Sequence, residues 1–298
     1  MPALQIVACK VQSIKDRQQA FYGKRELDVW EKASRNSVHV ARLFDASYNP
    51  RTGKAYIYME LLKGGDLHGF MESVGESPQI NMIHPFLVYH LACQVALGVS
   101  ELHSRTIIHR DLKTDNVLLT KKITPEMNNA LWQLTEKGRV QANLEPHLDA
   151  LCRILFGREN ERLAVLADFG LSRDETTPAG GPITVVGMKW NPCYNAPEMV
   201  QYNHQSPMAD VYSYGILVYA LCAARFPAGK DDMRPLPATY SAVDSLIRSC
   251  VDGDPLRRPT AGHLIQTLWP LKMAAMDTIS SKFRQHQQLK QYAEGIAR

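Results

Sequence analysis

The sequence is poor in the features that mark several large protein classes. Six cysteines occur in 298 residues, at 9, 93, 152, 193, 222 and 250, and none forms a C-x-x-C pair. That spacing argues against a zinc ribbon or a thiol-disulfide motif and reads as small apolar side chains in a reducing compartment. The ten histidines contain no H-x-x-x-H pair and no His/Cys cluster, so a protein-built zinc site is not expected. The longest apolar run, residues 215–224, is 10 residues, short of the roughly 20 that a spanning helix needs. The opening residues lack the basic, apolar and small-residue pattern of a secretory signal. Charge of one sign is lacking too. The 34 basic and 30 acidic residues leave a net +4, too even for a nucleic-acid face. The expectation is an intracellular chain, cytoplasmic or nuclear, with no nucleic-acid or membrane partner.

The rest of the composition, 45% hydrophobic and 21% charged, is that of a globular protein with a substantial core. Short apolar segments at 5–11, 38–48 and 55–62 predict strands, the last two joined by the turn-rich Asn49-Pro50-Arg51-Thr52-Gly53. A charged helix is predicted between them over 17–34. From His84 onward the period changes: Leu87, Leu91, Val95, Val99 and Leu102 repeat at close to 3.6 residues. Residues 211–223 are apolar on nearly all sides and predict a helix buried in a core. A small strand-rich part therefore precedes a larger helical part.

Three stretches carry chemistry. The first is His109-Arg110-Asp111-Leu112-Lys113-Thr114-Asp115-Asn116, the second Asp168-Phe169-Gly170, the third Ala196-Pro197-Glu198. In this order they resemble the H-R-D-L-x-x-x-N, D-F-G and A-P-E set of the eukaryotic protein kinase superfamily. The resemblance covers roughly residues 3–270. It implies an α+β, two-lobed protein-kinase-like fold, with a small and incomplete β-rich N-lobe (3–62) and a larger helical C-lobe (63–270). The activity it implies is ATP-dependent transfer of the γ-phosphate, with Mg²⁺, to a protein substrate. Asp111 would accept the proton of the substrate hydroxyl, and Asn116 and Asp168 would hold magnesium, which prefers hard oxygen ligands. Lys113 would neutralise charge on the moving phosphoryl group. A lysine at that place goes with serine/threonine specificity in the family. Val7-Ala8-Cys9-Lys10 resembles the V-A-I-K strand, so Lys10 would bind the ATP phosphates with Glu26 as its helix partner. Residues 56–67 are similar to the kinase hinge. Met59 would stand behind the adenine, backbone groups of Glu60 and Leu62 would pair with the base, and Asp66 would meet the ribose. Leu118 belongs to the same nucleotide-binding set. Trp30, Leu43, His109 and Phe169 fit the apolar stack that joins the lobes, anchored by Asp210, and Arg258 fits the buried partner of Glu198.

The sequence departs from the family in three places, the segment before Lys10, an insert and the activation segment, and it carries a polar tail beyond the resemblance. No glycine precedes Gly23, so the G-x-G-x-x-G hairpin that covers ATP phosphates is absent before Lys10. Either a longer chain supplies it or the protein works without it. The alternative to an enzyme is a pseudokinase acting as a scaffold or allosteric partner. The insert, 121–160, separates Asn116 from Asp168 and is expected to be a partly helical surface insert, with Leu144, Leu148, Leu151 and Leu155 on one face. A polar tail, 271–298, is expected to be helical and exposed; insert and tail are the candidate partner-binding segments. In the activation segment, Asn191 stands where the family often has threonine, and Thr176, Thr177 and Thr184 are candidate phosphorylation sites with Arg110 to receive the phosphate.

Overall fold

Alternating side chains from Val7 to Ser13 make strand β1, whose burial alternates with them. In this computed structural model, which describes residues 6–77, 81–156, 162–176, 193–202 and 206–296, helix α1 follows at Arg17–Ser34. It starts where Asp16 accepts from the Gln19 N–H at 2.8 Å, a side-chain cap on an otherwise orphan donor. Strands β2 (Leu43–Asn49) and β3 (Lys54–Glu60) complete an antiparallel sheet of order β1-β3-β2 among the described residues. Lys10 lies opposite Ile57 in that register.

The strand predicted over 38–48 begins only at Leu43. The preceding residues spend their backbone bonds elsewhere. His39 O accepts from Leu166 N–H and Ala41 N–H donates to Leu166 O, each at 2.8 Å. This stretch is a bridge to the second lobe rather than part of the sheet.

The large lobe opens with α2 (Leu67–Gly75) and α3 (Pro85–Ser104). Helix α3 is long and apolar enough by composition to cross a membrane, but 78% of that window is buried against the rest of the lobe. The short strands β4 (Ile107–Ile108) and β5 (Val117–Leu119) flank the loop carrying Asp111. The insert then folds as α4 (Pro125–Trp132), a π-helical turn at Gln133–Lys137, and α5 (Glu145–Phe156). Strands β6 (Ala164–Leu166) and β7 (Arg173–Asp174) return to β5 and β4. Helices α6 (Pro197–Tyr202), α7 (Pro207–Ala223), α8 (Ser241–Cys250) and α9 (Ala261–Ile296) finish the lobe.

Two expectations change here. The insert is part of the core, not a surface appendage: Leu131, Leu134, Leu144, Leu148 and Leu151 are all buried. The tail is helical but not exposed along its length. It continues α9 without a break, packs along α3, and buries Ile279 and His286. Glu145 of the insert ties it down, accepting from His286 Nε2 and Lys290 Nζ, each at 2.9 Å. Those bonds, Lys290 first, hold the Glu145 carboxyl below its ordinary range.

Candidate active site

The loop from His109 to Asn116 hangs from a buried carboxylate. Asp210, near the start of α7, accepts from the backbone N–H groups of His109 and Arg110, each at 2.8 Å, and from His103 Nε2 at 2.9 Å. Burial opposes ionisation of Asp210, but these donors outweigh it and its pKa lies below the ordinary value. The tether holds Arg110 in the left-handed region at φ +69°, a backbone state that costs a non-glycine residue energy. Asp168, across the cleft, is held at φ +63°. The two segments are joined where Ala167 N–H donates to Asn116 O at 2.9 Å.

Around Asp111 the geometry is closed on one side. Asn116 donates through its amide nitrogen to Asp111 O at 2.7 Å and to Asp111 Oδ2 at 2.8 Å. Lys113 Nζ lies 2.9 Å from the same Oδ2. One carboxylate oxygen is thus fixed by two donors, and Oδ1 can accept a further bond. With its nitrogen spent on Asp111, the Asn116 amide oxygen suits a hard cation.

The small lobe delivers the positive charge. Lys10 Nζ lies 2.9 Å from Glu26 Oε1 and 3.1 Å from Asp168 Oδ1. Burial alone would lower the lysine pKa; Glu26 and then Asp168 reverse that, and the net shift is upward. Burial would likewise raise Asp168, but Lys10 outweighs it and the carboxyl sits below 3.8. Gln12 adds a second donor to Glu26, at 3.3 Å from Oε2.

An aromatic stack supports this charge cluster. Trp30 stacks on Phe169 at 5.7 Å and His109 tilts against Phe169 at 5.3 Å. Leu43 packs on the same core. Trp30 Nε1 donates to Ala41 O at 2.7 Å, which satisfies the buried indole. Below, Arg258 clasps Glu198 with two bonds, at 2.7 and 2.8 Å.

The hinge residues lie on one path. Met59 and Glu60 end β3, Leu62 follows half-buried against the core, and Leu118 sits in β5. Asp66 caps α2, its Oδ1 accepting from Gly69 N–H at 2.8 Å, and bridges in backbone pairing to Leu118. Gly64 approaches β5 so closely that a Cβ there would lie 2.5 Å from Leu119 O and 2.4 Å from Lys121 O.

Arg110 is buried, and its Nε has no hydrogen-bond partner among the described residues. Burial, then Arg25 and Arg173, lowers its pKa to about 10. Thr176 donates its hydroxyl to Asp174 at 2.7 Å. Asn191, Thr177 and Thr184 lie outside the described residues. Tyr194, three residues after Asn191, has its hydroxyl 3.2 Å from Thr114 Oγ1.

Two residues were not read from the sequence. Gln12 follows Lys10 by two, and strand alternation puts both on one face, so that signal was available. Arg162 pairs with the Glu60 carboxylate and donates to Val38 O at 3.0 Å. Nothing in its sequence surroundings marks it.

Comparison with known proteins agrees with this geometry. Residues 3–270 match the protein kinase domain family, and the chain belongs to that family. It is similar to the mouse serine/threonine-protein kinase Nek3, 27% identical over 234 residues, which is 72% of this chain and 35% of that protein. It is also similar to the Arabidopsis thaliana serine/threonine-protein kinase ATG1c, 28% identical over 192 residues, covering 64% of this chain and 20% of that protein. The Drosophila melanogaster eye isozyme of protein kinase C is 30% identical over 179 residues, covering 60% and 19%. The chain spans about a third or less of the length of these relatives.

Proposed function

We propose that this chain is a protein serine/threonine kinase that transfers the γ-phosphate of ATP to protein hydroxyls. The observation that carries the reading is the convergence of Lys10, Glu26 and Asp168 on one side of a cleft with Asp111, Lys113 and Asn116 on the other. On an incidental surface, three such charged contacts from two lobes have no packing reason to coexist.

On this reading each side chain has a separate task. Lys10, steered by Glu26, holds the α- and β-phosphates. Asp111 orients the substrate hydroxyl and accepts its proton at the carboxylate oxygen free of Asn116. Lys113 screens charge on the phosphoryl group and, by its place beside Asp111, favours serine and threonine. Asp168 and the Asn116 amide oxygen are the fitting ligands for magnesium, which supplies charge neutralisation across the phosphates when bound. Glu60, Leu62, Asp66 and Leu118 line the adenine and ribose side. The buried Arg110 guanidinium supports docking of a phosphate from the activation segment. The free cysteines fit a cytoplasmic or nuclear workplace, where thiols stay reduced.

The test is phosphoryl transfer from labelled ATP with Mg²⁺ to a Ser/Thr peptide library, beside an Asp111→Asn variant. Incorporation is expected, falling about 10²–10⁴-fold in the variant, the usual contribution of a positioned general base. Equal incorporation in both would overturn the enzyme reading and leave a scaffold or allosteric partner on the same fold.

A further inference from the structure

The insert is rooted at the hinge at both of its ends. At its entry, Gly64 N–H donates to Leu119 O at 2.9 Å and Leu119 N–H donates to Gly65 O at 2.8 Å. Its neck is closed by the Thr120 hydroxyl, which donates to Arg162 O at 2.7 Å, and by Thr120 N–H, which donates to Leu163 O at 2.9 Å. At its exit, Arg162 reaches back to the hinge. Nη2 pairs with the Glu60 carboxylate and Nη1 donates to Val38 O at 3.0 Å. Glu60 is held a second way, since its N–H donates to Arg42 O at 2.9 Å and its carboxylate accepts from Arg42 N–H at 3.4 Å. The Arg162 and Glu60 side chains are 24% and 23% exposed, so water screens the pair only in part.

We propose that Arg162 is a positioning residue for the nucleotide, a role that rests on the kinase reading above. Glu60 ends β3, and its main chain faces the adenine on that reading. Beyond it the chain turns outward at Leu61, which is 38% exposed, and runs into two glycines. Arg162 clamps the Glu60 side chain to the lobe bridge at Val38 and to the neck of the insert. The strand end is thereby ordered before a base arrives, and binding does not carry the entropy cost of ordering it. The same contact makes the insert a lever on nucleotide affinity.

The full chain is compared with Arg162→Met, which keeps the apolar stem and removes the charge, and with Arg162→Lys. Calorimetry with a non-hydrolysable ATP analogue and Mg²⁺ reads affinity, and hydrogen exchange without nucleotide reads residues 60–63. Arg162→Met is expected to weaken binding about three- to tenfold, the range of a partly screened ion pair with an added bond. It should also raise the KM for ATP while kcat at saturating ATP stays within about twofold. Exchange at 60–63 should quicken while that of α3 is unchanged, and Arg162→Lys should recover part of the affinity. A double exchange, Arg162→Glu with Glu60→Arg, should recover more than either single change. Unchanged affinity and unchanged hinge exchange in a folded Arg162→Met chain would overturn the proposal while leaving the kinase reading intact. Quickened exchange throughout the protein would also overturn it, by showing a merely structural role. An unaltered chain that binds no analogue would overturn the kinase reading itself, and this role with it.

Discussion

The small lobe carries Lys10 to the cleft on its outer strand β1, which leaves Val7 36% and Val11 52% exposed, and carries Glu26 there on α1. The large lobe carries Asp111 and Asn116 on a loop pinned to α7, in which every residue from Ala209 to Cys222 is buried. One half of the site is held by charges reaching across thin packing, the other by a packed helix and a desolvated carboxylate. Substitutions in the buried supports of the large lobe should therefore read first as lost stability, and those in the small lobe as lost activity on a folded chain.

Glu198→Ala should produce the largest stability effect. It leaves the Arg258 guanidinium buried without its carboxylate, at a cost of about 3–5 kcal/mol, seen as a lower urea midpoint at unchanged slope. An unchanged midpoint would break the contrast between the lobes. Next come two buried histidines of the large lobe. Burial holds both His84 and His90 at a pKa of about 3, against an ordinary 6.5. Each binds fewer protons folded than unfolded, so the stability is fully present above pH 6.5 and is lost as pH falls from there toward 3. The loss is about 1.4 kcal/mol per pH unit per histidine, or about 2 kcal/mol each by pH 5. His84→Gln should flatten the slope of stability against pH by about half, as read in denaturant titrations at several pH values.

The small lobe should answer differently. Glu26→Gln should move stability by about 1 kcal/mol, since Lys10 is one-third exposed and keeps Asp168. The same change should reduce kcat/KM by one to two decades, through loss of about 1.4–2.7 kcal/mol of positioning. The Lys10–Asp168 contact itself gives a wide acid margin. Asp168 lies below its ordinary 3.8 and Lys10 above its ordinary 10.5. The carboxylate side is fully present above pH 3.8 and lost as pH falls through the folded value. The ammonium side is fully present below 10.5 and lost as pH rises through its own. Activity changes between pH 5 and 9 should therefore not come from this pair, and a Gln12→Ala variant should shift kcat by only about two- to threefold, one neutral donor to a carboxylate being lost.

The residues of the candidate site were legible because they are of few types at fixed spacing. His109 to Asn116 and Asp168 to Gly170 carry their signal in adjacent positions, and the fold brings them together as that order implies. The interlobe bridge was not legible. Val38, Val40 and Phe44 alternate like a strand, and only the third dimension shows that His39 and Ala41 bond to Leu166 instead of to β3. The tail was misread because its composition is polar. A helix needs just one apolar stripe to be buried, and within the tail Ile279 is buried while Leu271, Ala275, Met276 and Phe283 pack partly buried on the core. Arg162 stands alone in sequence and acquires meaning only from Glu60, 102 residues away.

Helix α9 has a practical consequence for anyone cutting this molecule into pieces. The family match stops at residue 270, which is Pro270, inside a 36-residue helix. A fragment trimmed at that boundary would amputate more than half of the helix and strip the cover from one side of α3. It would also leave Glu145 of the insert without His286 and Lys290. Most of the buried residues of α3 are apolar, and apolar patches exposed to water drive self-association. Soluble expression should follow where the helix ends, not where the family resemblance does.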